Sequence, residues 1–201
     1  MITAGVILAG GLARRMGGGD KPLKILARKP LLEHVIARIA PQVDTVVLNA
    51  NDNPARFAEA GLPVIPDTVL GNPGPLAGIL AGMEWVRAVA GGDADLLSVP
   101  GDAPFLPLDL VERLRAVRGA ETADVAWAAN GDRIHPVIAL WPVRLAGDLR
   151  RALTEDGLRK VEDFGRRYSV ACATFPEASV NPFFNVNTPA DLVEAERMIS
   201  Q

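Results

Sequence analysis

The sequence contains one cysteine, Cys172, and two histidines, His34 and His135. A single cysteine excludes an intrachain disulfide framework. With so few cysteines and histidines, a Cys/His zinc site is not expected either. Cys172 lies in Ser169-Val170-Ala171-Cys172-Ala173, which reads as strand, so it is expected as a buried small hydrophobe and not as a nucleophile. There is no excess of positive charge: 21 Lys and Arg stand against 24 Asp and Glu, a net charge of −3. That argues against a broad electrostatic grip on nucleic acid, although it leaves room for a small basic pocket. Trp85, Trp127 and Trp141 are scattered and lack the basic–aromatic interleaving of single-strand binders, so packing is their expected role. Long apolar runs are missing. The longest uncharged stretch, Thr68 to Met83, has 16 residues with two prolines and four glycines, too short and too broken to span a membrane. No basic segment precedes the first apolar run, so no secretory signal is expected. These absences describe a soluble, cytoplasmic protein with neither nucleic acid nor membrane as partner.

The remaining composition is that of an ordinary globular chain, 49% apolar and 22% charged. Its 201 residues correspond to about 1.3 domains of average size, so one domain over residues 1–201 is expected. A chain of this length buries roughly 70% of its unfolded surface, enough for a core without staples.

Apolar, β-branched runs alternate with helical patterns. Strands are expected at Gly5–Ala9, Val43–Leu48, Leu62–Ile65, Ala94–Val99, Val125–Ala128, Pro136–Leu140 and Tyr168–Thr174. Helices are expected at Leu31–Ile39, Ala55–Ala60, Leu76–Val89 and Leu145–Leu153, with another opened by Pro107 and carrying Asp109 in its first turn. Thr188-Pro189-Ala190-Asp191 reads as a helix start in which Thr caps, Pro occupies the first position and Asp reaches back. This order predicts an α/β fold in three layers: a mostly parallel central sheet with helices on both faces. In such sheets the loops beyond the carboxyl ends of the strands build the ligand crevice.

Several unusual segments fall on those loops. Leu8 to Lys21, LAGGLARRMGGGDK, places five glycines with Arg14, Arg15 and Lys21 directly after the first strand. Glycines let the backbone approach a ligand and turn its N–H groups inward on an anion. The segment is neither a Walker A motif nor a dinucleotide fingerprint. Phosphate binding is preferred over a flexible turn with two solvated arginines. Asp102, at the end of a central apolar strand, is poorly placed for packing and suits Mg²⁺, which binds through one or two carboxylates plus substrate phosphates. Alone it would read as a turn cap; beside the glycine-rich first loop, the metal reading is preferred. Asn181 to Pro189 brings three asparagines next to a helix start, fit for a second phosphate or a polar ring, or for turn chemistry alone. Asn72 to Gly78 shapes either a base or ribose pocket, or a stiff loop in which Gly78 permits close packing. Asn49, Asn51 and Asp67 follow strands and would each read as turn formers, although guanine's N1–H and N2–H₂ donors need acceptors such as Asp67. His135 reads as structural and His34 as a surface residue.

These segments together resemble the molybdenum cofactor guanylyltransferases, nucleotidyltransferases of a Rossmann-like, glycosyltransferase-A-like fold. The resemblance runs in order through Leu8 to Lys21, Asn49-Ala50-Asn51, Pro73 to Gly78, Gly101-Asp102-Ala103-Pro104, His135-Pro136 and Asn185-Val186-Asn187-Thr188-Pro189. The Met-Gly and Asp-Lys core alone is shared by many nucleotidyltransferases. The resemblance implies transfer of GMP from GTP to the terminal phosphate of molybdopterin, with release of pyrophosphate. It implies that Leu8, Ala9, Gly10 and Gly11 line the nucleotide through backbone, and that Lys21 and Arg15 serve the phosphates. Asn49 and Asp67 would contact the nucleoside, and Asp102 would hold Mg²⁺ beside the reacting phosphate, with Mn²⁺ as the alternative ion. Asn185 and Asn187 would lie on the pterin-phosphate side, the N-terminal part serving the nucleotide and the C-terminal part the acceptor. Leu158-Arg159-Lys160-Val161 matches a more basic stretch in relatives, which leaves the role of Arg159 and Lys160 open. A monomer is implied, in transient contact with molybdenum insertion factors and apo-molybdoenzymes. The nucleophile would be a phosphate monoester with a second pKa of ~6, already largely dianionic at neutral pH, so no general base is required. The alternatives are a molybdopterin cytidylyltransferase, a sugar-phosphate nucleotidylyltransferase, and a non-catalytic nucleotide-binding adaptor.

Overall fold

The computed structural model describes residues 1–10, 19–51, 53–69, 71, 74–176 and 180–200. Its centre is a seven-stranded sheet. The strands, in chain order, are β1 (Ile2–Leu8), β4 (Thr45–Asn49), β5 (Val64–Ile65), β6 (Ala94–Pro100), β7 (Val125–Asn130), β8 (Arg133–Pro142) and β9 (Val170–Phe175). A small antiparallel hairpin, β2 (Ile25–Leu26) with β3 (Lys29–Pro30), stands apart from it. The spatial order is β5-β4-β1-β6-β8-β7-β9. Every strand of the large sheet runs the same way except β8, which pairs antiparallel with both β6 and β7.

The inner strands are buried nearly without interruption: Thr3–Ile7 of β1 and Ala94–Val99 of β6. Helices on both faces account for that. Alternate strand residues belong to two different cores. Ile7, Leu97 and Val99 join Leu32 and Val35 of α1 (Leu31–Ile39) and Leu110 and Leu114 of α3 (Leu110–Ala120). Val6 and Leu96 join Ile79, Leu80 and Met83 of α2 (Pro75–Ala90), Leu149 of α4 (Ala146–Thr154) and Phe164 of α5 (Val161–Gly165). The period of two along a strand divides its side chains between these layers. The three-layer, mostly parallel fold expected from the sequence is therefore present.

The last helix, α6 (Pro189–Ile199), starts with the expected capping box. Thr188 Oγ1 accepts from Asp191 N at 3.2 Å, and Asp191 Oδ2 accepts from Thr188 N at 2.9 Å. The helix packs by Ala195 on Leu26, Leu31 and Val186. The preceding loop is pinned to the centre of the sheet, because Val186 N donates to Asp102 O at 2.9 Å.

Three expectations are corrected. The helix expected to open at Pro107 starts at Leu110. Gln42 causes the delay: its Nε2 donates to Pro107 O at 2.8 Å and its Oε1 accepts from Val111 N at 3.0 Å. A cap supplied from the turn after α1, Ala40–Gln42, replaces a local one. Cys172 is exposed, not buried. β9 lies at the sheet edge, where Ala171, Ala173 and Phe175 face inward and Cys172 and Thr174 face out. The thiol is no activated nucleophile, since partial desolvation and then the Glu121 carboxylate push its pKa up. His34 is half-buried and tied down, its Nε2–H donating to Leu26 O at 2.9 Å.

Candidate active site

β1 sits at the point where the chain changes direction across the sheet, with β4 on one side and β6 on the other. A crevice opens beyond the carboxyl ends at such a point. Sheet-like hydrogen bonds continue past the strand ends and set its floor. Ala9 N donates to Asn49 O at 2.8 Å, Ala50 N to Ile65 O at 3.1 Å, and Gly101 N to Leu8 O at 3.0 Å. Above this floor is a cavity of about 510 Å³, within the usual range for small-molecule sites. Its lining follows the strand order. Leu8, Gly10 and Asp102 come after the central strands β1 and β6, with Lys21 beside Asp102. Asn49, Asn51 and Asp67 come after β4 and β5 toward one end, and Arg133 to Ile138 belong to β8 toward the other, while Gly74, Pro75 and Asn185 complete the lining.

At the middle, Lys21 Nζ lies 2.9 Å from Asp102 Oδ2 and 2.8 Å from Asn187 Oδ1. The lysine and aspartate side chains are only 16% and 14% exposed, so this contact is little screened by solvent. Pro22, buried at the start of the turn Lys21–Leu23, anchors the lysine's backbone. The structure thus joins three expected residues from the beginning, middle and end of the chain. Asn187 Nδ2 also donates to Asn185 O at 3.2 Å, which links it to the cavity wall.

At one end, Asn49 and Asn51 together hold Asp67. Asn49 Nδ2 donates to Asp67 Oδ1 at 2.9 Å and Asn51 Nδ2 to Asp67 Oδ2 at 2.8 Å, while Asn51 Oδ1 accepts from Asp67 N at 2.9 Å. Both carboxylate oxygens are oriented and each keeps spare acceptor capacity. Gly78 makes this arrangement possible: a Cβ there would lie 2.2 Å from Asn49 Oδ1 and 2.6 Å from Leu8 Cδ2. Close packing is therefore the structural role of Gly78. The residue after Asp67 is braced as well. Thr68 Oγ1 donates to Glu84 Oε2 at 2.7 Å, and Arg150 of α4 reaches both Glu84 and Thr68.

At the other end, the pairing of β7 with β8 breaks register: Trp127 pairs with Ala139 and Ala128 with His135. Pro136 to Ile138 bulge out and form the wall. A buried relay holds the bulge, with Trp141 Nε1 donating to Ser98 Oγ at 2.9 Å and Ser98 Oγ donating to Val137 O at 2.7 Å. His135 packs on Phe183, ring centroids 4.7 Å apart, and its Nε2 is buried without a partner. Desolvation, then the charge of Arg133, lowers its pKa to about 4, so the ring is neutral at pH 7. Asn185 Oδ1 is also buried without a partner.

Some expected residues contribute differently. Ala9 is buried with its N–H spent on Asn49 O, so it offers the crevice no free donor. Arg159 and Lys160 are exposed and do not line the cavity. Gly11, Arg14, Arg15, Asn72 and Pro73 lie outside the described residues. Arg56, Ser98 and Arg133 escaped the sequence reading as site residues, while Asp20 and His135 stood in motifs without a site role of their own.

The sheet and its crevice define a nucleotidyltransferase. The profile of the MobA-like NTP transferase domain matches residues 5–170. A molybdenum cofactor guanylyltransferase of Rhodopseudomonas palustris (strain BisB5) is 58% identical over 98% of this chain and 93% of its own. That of Bradyrhizobium sp. (strain ORS 278) is 57% identical over 96% and 92%. The crystal structure of molybdopterin-guanine dinucleotide biosynthesis protein A from Archaeoglobus fulgidus superimposes with a TM-score of 0.76, at 26% identity over 99% of both chains. The chain belongs to the MobA-like NTP transferase family, among the molybdenum cofactor guanylyltransferases.

Proposed function

We propose that the protein transfers GMP from GTP to the terminal phosphate of molybdopterin, yielding the guanine dinucleotide cofactor and pyrophosphate. The observation that carries this reading is the Lys21–Asp102 pair in a cavity whose lining runs from the Asn49–Asn51–Asp67 cluster, which we assign to the base, to the β8 wall, which we assign to the acceptor. The whole chain acts as one nucleotidyltransferase unit, with the nucleotide held by N-terminal loops and the acceptor by β8 and the Asn185–Asn187 loop.

The base end favours guanine. Asp67 presents two oriented carboxylate oxygens, and guanine offers the adjacent N1–H and N2–H₂ donors to match. Cytosine and adenine lack that pair. Gly10 and Lys21 serve the phosphates, and Asn185 and Asn187 the acceptor phosphate. Arg15 and Gly11 act with them on the resemblance stated above.

In the reaction an oxygen of the acceptor phosphate attacks the α-phosphorus of GTP. The new P–O bond forms as the bond from α-phosphorus to the bridging oxygen breaks, and pyrophosphate leaves with that electron pair. The nucleophile's second pKa is ~6, so it arrives deprotonated and no side chain removes a proton. Catalysis is then alignment and charge neutralisation. Lys21 gives its ammonium to the departing pyrophosphate and so exchanges Asp102 for substrate oxygen.

The residues fit a divalent metal that arrives with the nucleotide. Asp102 supplies one hard carboxylate oxygen at the cavity, while no group of three or more His, Cys, Asp or Glu side chains forms a self-sufficient cage among the described residues. Mg²⁺, with Mn²⁺ as substitute, would be held by Asp102 and phosphate oxygens and would supply neutralising charge at the α-phosphate.

Pyrophosphate release with molybdopterin and Mg²⁺, compared among GTP, CTP and ATP, tests the reading. Release with GTP alone supports it. Release with CTP instead transfers the base end to cytosine. Silence with all three overturns it.

A further inference from the structure

Arg56 lies in the short turn Pro54–Ala60 after β4, and its guanidinium reaches in two directions. One terminal nitrogen pairs with Asp20 Oδ1 at 2.8 Å, and the other donates to the Asn51 carbonyl at 2.7 Å. Asp20 is the residue before Lys21, at the phosphate part of the cavity. Asn51 is the residue that holds Asp67 from both sides, at the base end. The guanidinium also lies over the ring of Phe57, 5.2 Å from its centroid, and Phe57 is buried in the core. Asp20 and Arg56 are 13% and 26% exposed, so the pair is largely shielded.

An arginine beside a phosphate site is ordinarily taken for a phosphate ligand. Here the geometry argues otherwise. Both terminal nitrogens are engaged by the protein, and Nε is buried without a partner. We propose that Arg56 is a positioning residue, a clamp that fixes the phosphate part of the cavity at a set distance from the base end. The proposal rests on the nucleotide reading above and adds to it a specific determinant of triphosphate binding.

A clamp has a distinctive thermodynamic consequence. A ligand that touches both ends gains from their being held at the right separation before it binds. A fragment that touches one end gains nothing from the other. Loss of Arg56 therefore weakens the whole nucleotide and spares its parts.

The test is calorimetric, on the full chain, with three probes: GTP, GMP and inorganic pyrophosphate. In Arg56→Met the affinity for GTP falls about tenfold while those for GMP and pyrophosphate stay within about twofold. Arg56→Lys behaves like Arg56→Met, because one ammonium cannot hold Asp20 and Asn51 together. Asp20→Ala cuts one arm only and gives the same pattern, which keeps the test open if Arg56→Met fails to fold. Unchanged GTP affinity, or equal losses for the fragments, overturns the clamp. Wild type is first titrated with GTP, CTP and ATP. Preference for another base corrects the guanine reading alone, and the clamp is then tested with that nucleotide, its monophosphate and pyrophosphate. Binding of none of the three overturns both.

Discussion

The amide of Asn49 occupies the space that a methyl group on residue 78 would need. A Cβ at Gly78 would lie 2.2 Å from Asn49 Oδ1, closer than any real contact. Asn49 is 5% exposed and donates to both Asp67 and Ile65 O, so it has nowhere to retreat without giving up those bonds. Gly78→Ala is expected to cost about 1–3 kcal/mol of stability, typical of overpacking, and to weaken nucleotide binding by displacing Asn49. Urea denaturation and a GTP titration check the two effects. A variant with wild-type GTP affinity would show that Asn49 is not held by α2.

Asp102→Asn keeps the shape of the side chain and removes its charge. The Lys21 contact loses its ionic character, and the anionic oxygen offered to a metal is gone. Turnover should fall by about 10²–10³-fold, the usual loss for one electrostatic group at a reacting centre. Far-ultraviolet circular dichroism should match wild type. Retained turnover would remove Asp102 from the reaction.

Asp67→Asn places an amide against the amides of Asn49 and Asn51, where two acceptor oxygens stood. At least one donor then faces a donor, and the guanine edge loses an acceptor. A loss of about 1–3 kcal/mol in GTP binding is expected, the range for one unsatisfied polar partner. Discrimination between GTP and ATP should shrink with it. Competition titrations measure both quantities, and an unchanged GTP-to-ATP ratio would place base recognition elsewhere.

Ser98→Ala breaks the relay behind the β8 bulge. Trp141 Nε1–H and the Val137 carbonyl both lose their bond to Ser98 Oγ, Trp141 and Ser98 being fully buried. A stability loss of about 1–3 kcal/mol is expected. Because the bulge forms only the acceptor wall, KM for molybdopterin should rise while KM for GTP holds. Parallel rises in both constants would contradict that division of the cavity.

His135 should make stability depend on pH. Its pKa is lowered to about 4 by desolvation in the fold, against an ordinary value of 6.5. Between these values the unfolded chain binds a proton that the folded chain refuses, so stability is full above pH 6.5 and declines as pH falls toward 4. Urea midpoints of wild type at pH 5 and pH 7 should differ in that direction, and His135→Gln should narrow the difference. An identical pH dependence in the variant would show that the ring protonates without cost.

The legible parts of this protein were the ones whose causes lie close together in the chain. Thr188 and Asp191 cap each other across three residues, and Leu31 to Ile39 carries its own apolar face, so both appear where the sequence places them. The α3 start was misplaced because its cap, Gln42, comes from 69 positions away from Val111. Cys172 was misjudged because a strand's local pattern does not say that it will lie at a sheet edge. Arg56 and Ser98 were hidden because their partners lie far away in the sequence. Each looks ordinary until the fold sets Asp20 before one and Trp141 above the other. Lys21 stood out earlier because it closes a glycine-rich, cationic loop, and Asp102 because it ends a central apolar strand beside that loop. Asp67 and Asn187, which alone read as turn or cap residues, took their site roles from the resemblance.

The central claim is the bond that breaks. Incubation of the protein, molybdopterin and a divalent metal with GTP labelled at either the α- or the γ-phosphorus tests it most directly. The account predicts that α-label enters the pterin product and γ-label leaves as pyrophosphate. γ-Label in the pterin, or α-label retained in GDP, would mean transfer of a terminal phosphoryl group and would contradict it.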